Sequence, residues 1–189
     1  ITTTVDDNLF ATKEDKAELD AYKDQDISQY NIYRLGTWAQ LRNIIYTNYE
    51  VIPESEFPES FDEVIYGLDF GYENPSALLK IGIKDTQIYE KELLYEKHLT
   101  NSQLIDKLKE LIPNRNNSIY ADSAEPDRIK EIQNNGFNVW EAKKDVIDGI
   151  DCVLRYRAKI ANSSENHLRE KRTYKRKEDK EGNSLEEPL

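Results

Sequence analysis

Methionine does not occur among the 189 residues, cysteine occurs once, histidine twice, proline six times and glycine seven times. A lone Cys152 cannot close an internal disulfide, which fits a reducing compartment or a fold that needs no bridge. With no histidine near it in sequence, Cys152 reads as a thiol on a helix face. His98 and His167 have no partner at metal-ligand spacing and read as surface residues. No apolar run approaches the ~18 residues of a membrane span, so no membrane partner is expected. The phosphate-cradling pattern G-x-x-x-x-G-K-[ST] is also missing, so the chain does not hydrolyse ATP by that route. A chain that opens on Ile1 and holds no Met is expected to be a segment of a longer protein, cut at both ends.

What is present is the composition of a globular protein: 38% hydrophobic and 33% charged residues. The net charge of −11, taken as one number, argues against a nucleic-acid partner. Its distribution argues otherwise. Residues 1–64 carry a net −9 and residues 65–189 only −2. Within the latter, residues 143–177 hold eleven basic side chains against five acidic ones, and Arg169 to Lys177 has six bases in nine positions with Tyr174 among them. A local positive surface of this kind is what phosphate binding requires. Lys143, Lys144, Arg169, Lys171, Arg172, Lys175, Arg176 and Lys177 are therefore the candidate DNA contacts, with Lys143 and Lys144 foremost.

Periodicity divides the chain after residue 62. Residues 1–62 read as a helical and linker segment: a helix over Ala11–Lys23, a second over Ser28–Leu35 between the cap residues Ser28 and Gly36, and a β-branched, aromatic strand over Ile44–Ile52. From Glu63 the pattern is sharper. Val64–Phe70 is a short apolar run of the type buried on both faces, and Ser76–Ile83 and Gln87–Tyr95 form a hairpin about Lys84-Asp85-Thr86. Asn101–Ile112 is an amphipathic helix, with Leu104, Ile105, Leu108, Leu111 and Ile112 on one face. Ser118–Asp122 is a strand, Pro126 opens a helix that Gly136 ends, Phe137–Trp140 is a further strand, and Asp145–Lys159 reads as a third helix with Ile147, Ile150 and Leu154 turned inward. The order β-β-β-α-β-α-β-α predicts an α/β fold with a mixed sheet flanked by helices. Trp38 and Trp140 read as packing residues.

Asp69 closes the first buried strand and Asp122 the fourth. If those strands are neighbours at the centre of the sheet, their ends bring two carboxylates side by side, an arrangement that is unfavourable unless a proton or a cation intervenes. Mg²⁺ or Mn²⁺ suits oxygen donors of this type. Two such ions ~3.5–4 Å apart can activate a water and stabilise the leaving oxygen of a phosphodiester.

The runs Gly67-Leu68-Asp69-Phe70-Gly71-Tyr72-Glu73-Asn74-Pro75-Ser76-Ala77 and Ile119-Tyr120-Ala121-Asp122-Ser123-Ala124-Glu125-Pro126 resemble the nuclease domain of phage terminase large subunits. So do Val139 to Asp145, Gly149-Ile150-Asp151, and the basic hairpin Tyr174 to Gly182 with Pro188. Leu35 to Trp38 and Ile45 to Tyr49 resemble the stretch that joins the packaging ATPase to that nuclease. The resemblance implies an RNase H-like fold over residues 63–189, lacking its C-terminal helix. It implies an endonuclease that cleaves concatemeric double-stranded DNA with two metal ions, Asp69 and Asp122 being catalytic metal ligands. A third ligand is expected beyond Leu189, since no H-x-x-D-A-x-R-Y-like motif occurs before it; Asp145 and Asp148 are the candidates within the chain, although acids in a first helical turn are common for dipole reasons alone. Implied partners are double-stranded DNA, the portal protein, the small terminase subunit and the ATPase domain of the same full-length chain, in the cytoplasm of an infected bacterial host.

Two other functions are compatible with parts of the pattern. G-x-D-x-G after a buried strand also opens the actin and heat-shock ATPases, but their second glycine-flanked Asp turn and Gly-Gly adenosine loop are missing. A non-catalytic docking module of the packaging motor would account for the acidic residues 1–64. Asp69-Phe70-Gly71 spells the kinase D-F-G, yet no H-R-D loop or glycine-rich phosphate loop precedes it.

Overall fold

The computed structural model describes residues 4–8, 10–25, 30–35, 43–179 and 184–188, and the chain divides into two compact units. The smaller comprises residues 1–44 and 175–189. It holds helix α1 (Lys13–Gln25) and a single π-helical turn, Tyr30–Arg34. Arg34 joins them to the residues before α1, reaching Asp20 at 2.8 Å and Asp6 at 2.6 Å. Ser28 and Gly36, the expected caps of a longer second helix, lie outside the described residues, as does Trp38. The same unit contains the hairpin of β8 (Arg176–Glu178) and β9 (Ser184–Pro188).

The larger unit, Ile45–Tyr174, is built on a seven-stranded sheet. Its elements are β1 (Tyr49–Ile52), β2 (Glu63–Asp69), β3 (Ser76–Lys84), β4 (Gln87–Glu96), α2 (Asn101–Leu111), β5 (Ile119–Ala121), α3 (Pro126–Asn134), β6 (Val139–Glu141), α4 (Val146–Leu154), β7 (Ala158–Ala161) and α5 (Glu165–Thr173). The strand order is β1-β7-β4-β3-β2-β5-β6, and β3 alone runs against the others. The β3–β4 turn places Asp85 and Thr86 at positive φ, the requirement of a two-residue type I′ turn.

Strand alternation gives the sheet two faces. On one, Tyr66, Leu68, Leu78, Leu94, Ile119, Ala121 and Val139 pack against Leu104, Ile105 and Leu108 of α2 and Ile129 and Ile132 of α3. Thr100 and Gln103 close a capping box at the start of α2. Gly136, at φ +87°, ends the turn after α3 where an L side chain would be strained. The opposite face carries α4 and α5 and is the one that stays partly open. Among the described residues no helix is long and apolar enough to cross a membrane.

β1 and α4 differ from the sequence-based expectation. β1, placed by its sequence in the linker segment, is an edge strand of the sheet, pairing with β7 from Tyr49↔Ala158 to Ile52↔Ala161 and burying Ile52. The third helix ends at Leu154 instead of Lys159. Ala158-Lys159-Ile160-Ala161 has a helix-forming composition, but pairing on both sides with β1 and β4 buries Ala158, Ile160 and Ala161, and that burial outweighs local propensity. Of the three residues expected to face inward from α4, Ile150 is buried while Ile147 is exposed.

Candidate metal centre

Asp69 is the last residue of β2, and β5 lies beside it in parallel register: Tyr66↔Ile119, Gly67↔Tyr120, Leu68↔Ala121. One step further along the same register stands Asp122, opposite Asp69. Both carboxylates leave the sheet on the open face, because the residues between them and the core face, Leu68 and Ala121, are buried. The backbone on either side is held locally. After Asp69 the chain turns through Phe70–Pro75 and is tied back by the buried Ser76, whose Oγ accepts from the Gly71 N–H at 3.1 Å and donates to the Gly71 carbonyl at 2.9 Å. A Cβ on Gly71 would come within 2.5 Å of the Asn74 and Pro75 carbonyl oxygens, so only glycine fits there. After Asp122, one of its own carboxylate oxygens accepts from the Ala124 N–H at 3.0 Å, an Asx-type turn that leads into α3.

The cleft around the pair has a volume of about 660 Å³. Around the acids its floor includes small residues, Ala77 opposite Asp69, Gly67 one repeat back, and Ala124 and Ala142 beyond β5 and β6, with Leu79 and Tyr120 beside them. Lys143 and Lys144, in the connection from β6 to α4, stand exposed on one wall. His167 and Glu170 of α5, with Glu92 of β4, form the other. Desolvation by these walls, and next the Asp122 carboxylate, push the Asp69 carboxyl above its ordinary value, a hydrogen bond from the Phe70 N–H offsetting part of the effect. Both groups are reached by solvent. A pair of solvent-accessible, acceptor-only carboxylates, one of them disfavoured in its charged form by the other, is a donor set suited to a hard divalent cation.

Other expected site residues are placed as follows. Asp145 is the N-cap of α4, accepting from the Asp148 N–H at 3.0 Å, and neither Asp145 nor Asp148 lines the cleft that holds Asp69 and Asp122. Among the described residues, no group of three or more His, Cys, Asp or Glu side chains is placed to hold a metal ion. Lys171 is not a surface cation: it is 7% exposed, with its Nζ 3.1 Å from Glu90 Oε2 and 5.0 Å above the Tyr46 ring. His167 is not a surface residue either. Its Nε2 lies 2.7 Å from the same Glu90 carboxylate, which as an acceptor requires that nitrogen to carry the proton. A charge opposite on β4 thus draws in two residues of α5 that sequence alone leaves at the surface. Arg169 and Arg172 are exposed on α5, Arg169 donating to Asn166 Oδ1 at 2.8 Å, while Lys175, Arg176 and Lys177 belong to the smaller unit. His98 and Cys152 are exposed as expected. Trp140 is not a packing residue; it is 55% exposed.

Tyr120 of β5 lines the cleft as well, and neither it nor the α5 residues His167 and Glu170 were expected there. Tyr120 carries a readable signal, since it stands two residues before Asp122 in a strand and so shares its face. The α5 residues carry none, because they reach the cleft from a helix whose place depends on β4.

The chain is similar to known proteins in sequence and in fold. The chain is 28% identical over 149 residues, 75% of its length, to the PBSX phage terminase large subunit of Bacillus subtilis (strain 168), and it spans about a third (34%) of that relative. In fold it is similar to the nuclease domain of the bacteriophage SPP1 large terminase g2p, solved with bound Mn, with a TM-score of 0.64 at 21% identity over 76% of this chain and 88% of that one. It is also similar to the large terminase of the thermophilic bacteriophage D6E in complex with ATP-γ-S, with a TM-score of 0.66 at 24% identity over 98% of this chain and 50% of that one. Residues 69–189, which begin at the first of the paired aspartates and run through α5 and the hairpin, match the terminase RNase H-like domain, and the chain belongs to that family.

Proposed function

We propose that this chain is the metal-dependent endonuclease region of a viral DNA-packaging terminase, cleaving double-stranded DNA by phosphodiester hydrolysis. The observation that carries the reading is the parallel register that sets Asp69 beside Asp122 at the open ends of two adjacent interior strands. Asp69 and Asp122 would hold Mg²⁺ or Mn²⁺, two ions in the full site, with a third protein ligand from residues beyond Leu189. The Mn bound in the SPP1 domain supports a divalent ion in a related fold. When bound, such ions supply Lewis acidity at the attacking and leaving oxygens. The chain's own residues do the positioning. Gly67, Ala77, Ala124 and Ala142 keep the floor low enough for a sugar–phosphate backbone to approach the carboxylates. Lys143 and Lys144 offer ammonium groups to flanking phosphates. The ATPase region of the same full-length chain, the portal protein and the small terminase subunit are the partners this reading assigns, in the cytoplasm of an infected bacterial cell.

The test is plasmid DNA incubated with Mn²⁺ or Mg²⁺ and either this chain or a form extended by about 30–60 residues past Leu189, roughly a loop plus a helix. Clear, sequence-independent cutting is expected from the extended form, weak or none from the shorter one, and none from the extended Asp69→Asn variant. An extended form that binds no metal and leaves the DNA intact overturns the reading.

A further inference from the structure

β5 and β6 are strands of three residues each, and their pairing sets Tyr120 directly opposite Trp140. Ile119 and Ala121 on either side of Tyr120, and Val139 before Trp140, are buried in the core, so strand alternation turns both rings to the opposite face of the sheet. There they remain 44% and 55% exposed. Large aromatic rings are costly to leave in water, and tryptophan is on average highly buried. Two side by side on a sheet face therefore call for an occupant.

Their surroundings identify its chemistry. Tyr120 precedes Asp122 by one strand repeat, about 6.6 Å along the direction of β5, which is within one nucleotide's reach of the carboxylates. On its other side β2 presents Gly67, where a Cβ would meet no atom within 4 Å, so a notch lies open along the Tyr120 position. Past Trp140 come the exposed Lys143 and Lys144. Flat π-faces beside ammonium groups are the combination that binds single-stranded nucleic acid, bases stacking on the rings while cations follow the phosphates. A continuous duplex has no use for the rings, because its base faces are already stacked on one another.

We infer that Tyr120 and Trp140 form a stacking platform for an unpaired nucleotide next to the scissile phosphate, so that the substrate engaged is DNA locally opened or frayed at the cleavage point. This rests on the nuclease reading and deepens it. The exposed Lys143 and Lys144 beside the rings match the phosphates of a nucleotide chain, and they favour it over an apolar protein surface.

The experiment measures binding of the metal-free chain to fluorescently labelled oligo(dT) and to a blunt duplex of equal length at one salt concentration, for the wild type, Trp140→Ala, Tyr120→Ala and Trp140→Phe, with plasmid cleavage by the extended form run in parallel. Base–aromatic stacking of ~1–3 kcal/mol per base implies that Trp140→Ala and Tyr120→Ala each weaken oligo(dT) binding by about tenfold. Duplex binding should change by less than about twofold, Trp140→Phe should keep most of the single-strand affinity, and Trp140 fluorescence should be quenched by oligo(dT). Equal losses on both DNAs, or no loss on oligo(dT), overturn the platform; in the second case the rings face something other than nucleic acid. If both wild-type DNAs go unbound and plasmid stays intact, the nuclease reading itself fails. If plasmid is cut while the alanine variants bind oligo(dT) like the wild type, the platform alone fails.

Discussion

Helices cover both faces of the sheet, but the means of attachment differ. α2 and α3 sit on theirs through Leu104, Ile105, Leu108, Ile129 and Ile132, with an apolar partner behind each. α5 sits on the other face with one buried leucine, Leu168 against Ile160, and otherwise through the carboxylates of β4. Glu90 takes His167 and Lys171, one helical turn apart. Glu92 accepts from the His167 N–H at 2.6 Å and from Asn166 Nδ2 at 2.8 Å, while its own N–H donates to Ser164 Oγ at 2.9 Å. A strand residue thus performs the N-capping that Ser164 does not supply from its side chain. An apolar seal excludes water and closes its face. A helix fixed at a few charged points can stand at the rim and leave an aqueous cleft beside it, and the aspartates open onto that cleft.

The contrast can be broken first on the apolar face. Leu108→Ala, at a fully buried position, should cost about 4 kcal/mol through lost transfer energy and the cavity left behind. In urea titrations that loss should be nearly the same at pH 5 and pH 8, since no ionisable group takes part. A small or strongly pH-dependent loss would mean the two faces are not held by different forces.

On the polar face Glu90→Gln should cost about 3 kcal/mol at pH 7, because it leaves the buried Lys171 without its counter-charge. Burial works to raise the Glu90 carboxyl, but the His167 hydrogen bond and the Lys171 charge outweigh it and hold it below its ordinary 4.5. The sign follows from linkage. A carboxyl depressed in the folded state adds stability that is present above its unfolded value and is lost as pH falls through its folded one. The difference between wild type and Glu90→Gln should therefore be largest near neutrality and shrink toward zero in acid, below the folded value. A difference that stays constant into acid would assign α5 to shape alone. Replacing Lys171 by Met in the same variant should restore much of the loss, since an uncharged pair of similar volume carries no desolvation cost.

These two faces were unequally legible in the sequence. The apolar one follows from periodicity: Leu104, Ile105, Leu108 and Ile112 form a stripe, and Pro126 and Gly136 bracket α3, so α2, α3 and the hairpin stand where local signals place them. The aspartates were legible for the same reason, each ending a short apolar run. α5 and β7 were not. Glu90 and Lys171 are 81 residues apart, and no local pattern announces that a carboxylate in β4 will bury a lysine of a basic run. Ala158 to Ala161 looks helical until neighbouring strands are known. Trp140 was read as packing because tryptophan usually packs, although its alternation with the buried Val139 placed it on the other face.

A smaller effect should follow from uncoupling α5 from its strand-borne cap. Glu92→Ala removes the acceptor for the third N–H of the helix, a loss on the scale of an N-cap, about 1 kcal/mol. Because Glu170 and His167 stand on the same helix at the cleft wall, hydrogen exchange should quicken in residues 165–170 before it does in α2 or α3. Uniform quickening through the larger unit would make the two faces one cooperative block.

The smallest effect expected concerns the cations, and it separates those that face the cleft from those that hold the fold. Lys143 is exposed on the wall beside Asp69 and Asp122, whereas Lys171 is engaged by Glu90. A lysine that neutralises a phosphate releases a counterion, so Lys143→Ala should reduce the slope of log K against log salt by about 1 and weaken binding evenly across DNA sequences. Lys171→Met should leave that slope unchanged while altering the urea midpoint. Salt titrations of duplex binding for the two variants measure both quantities. A slope change from Lys171→Met, with none from Lys143→Ala, would reverse the assignment: the buried lysine would have to leave Glu90 to meet DNA, and the face held by charges would then be the one that moves.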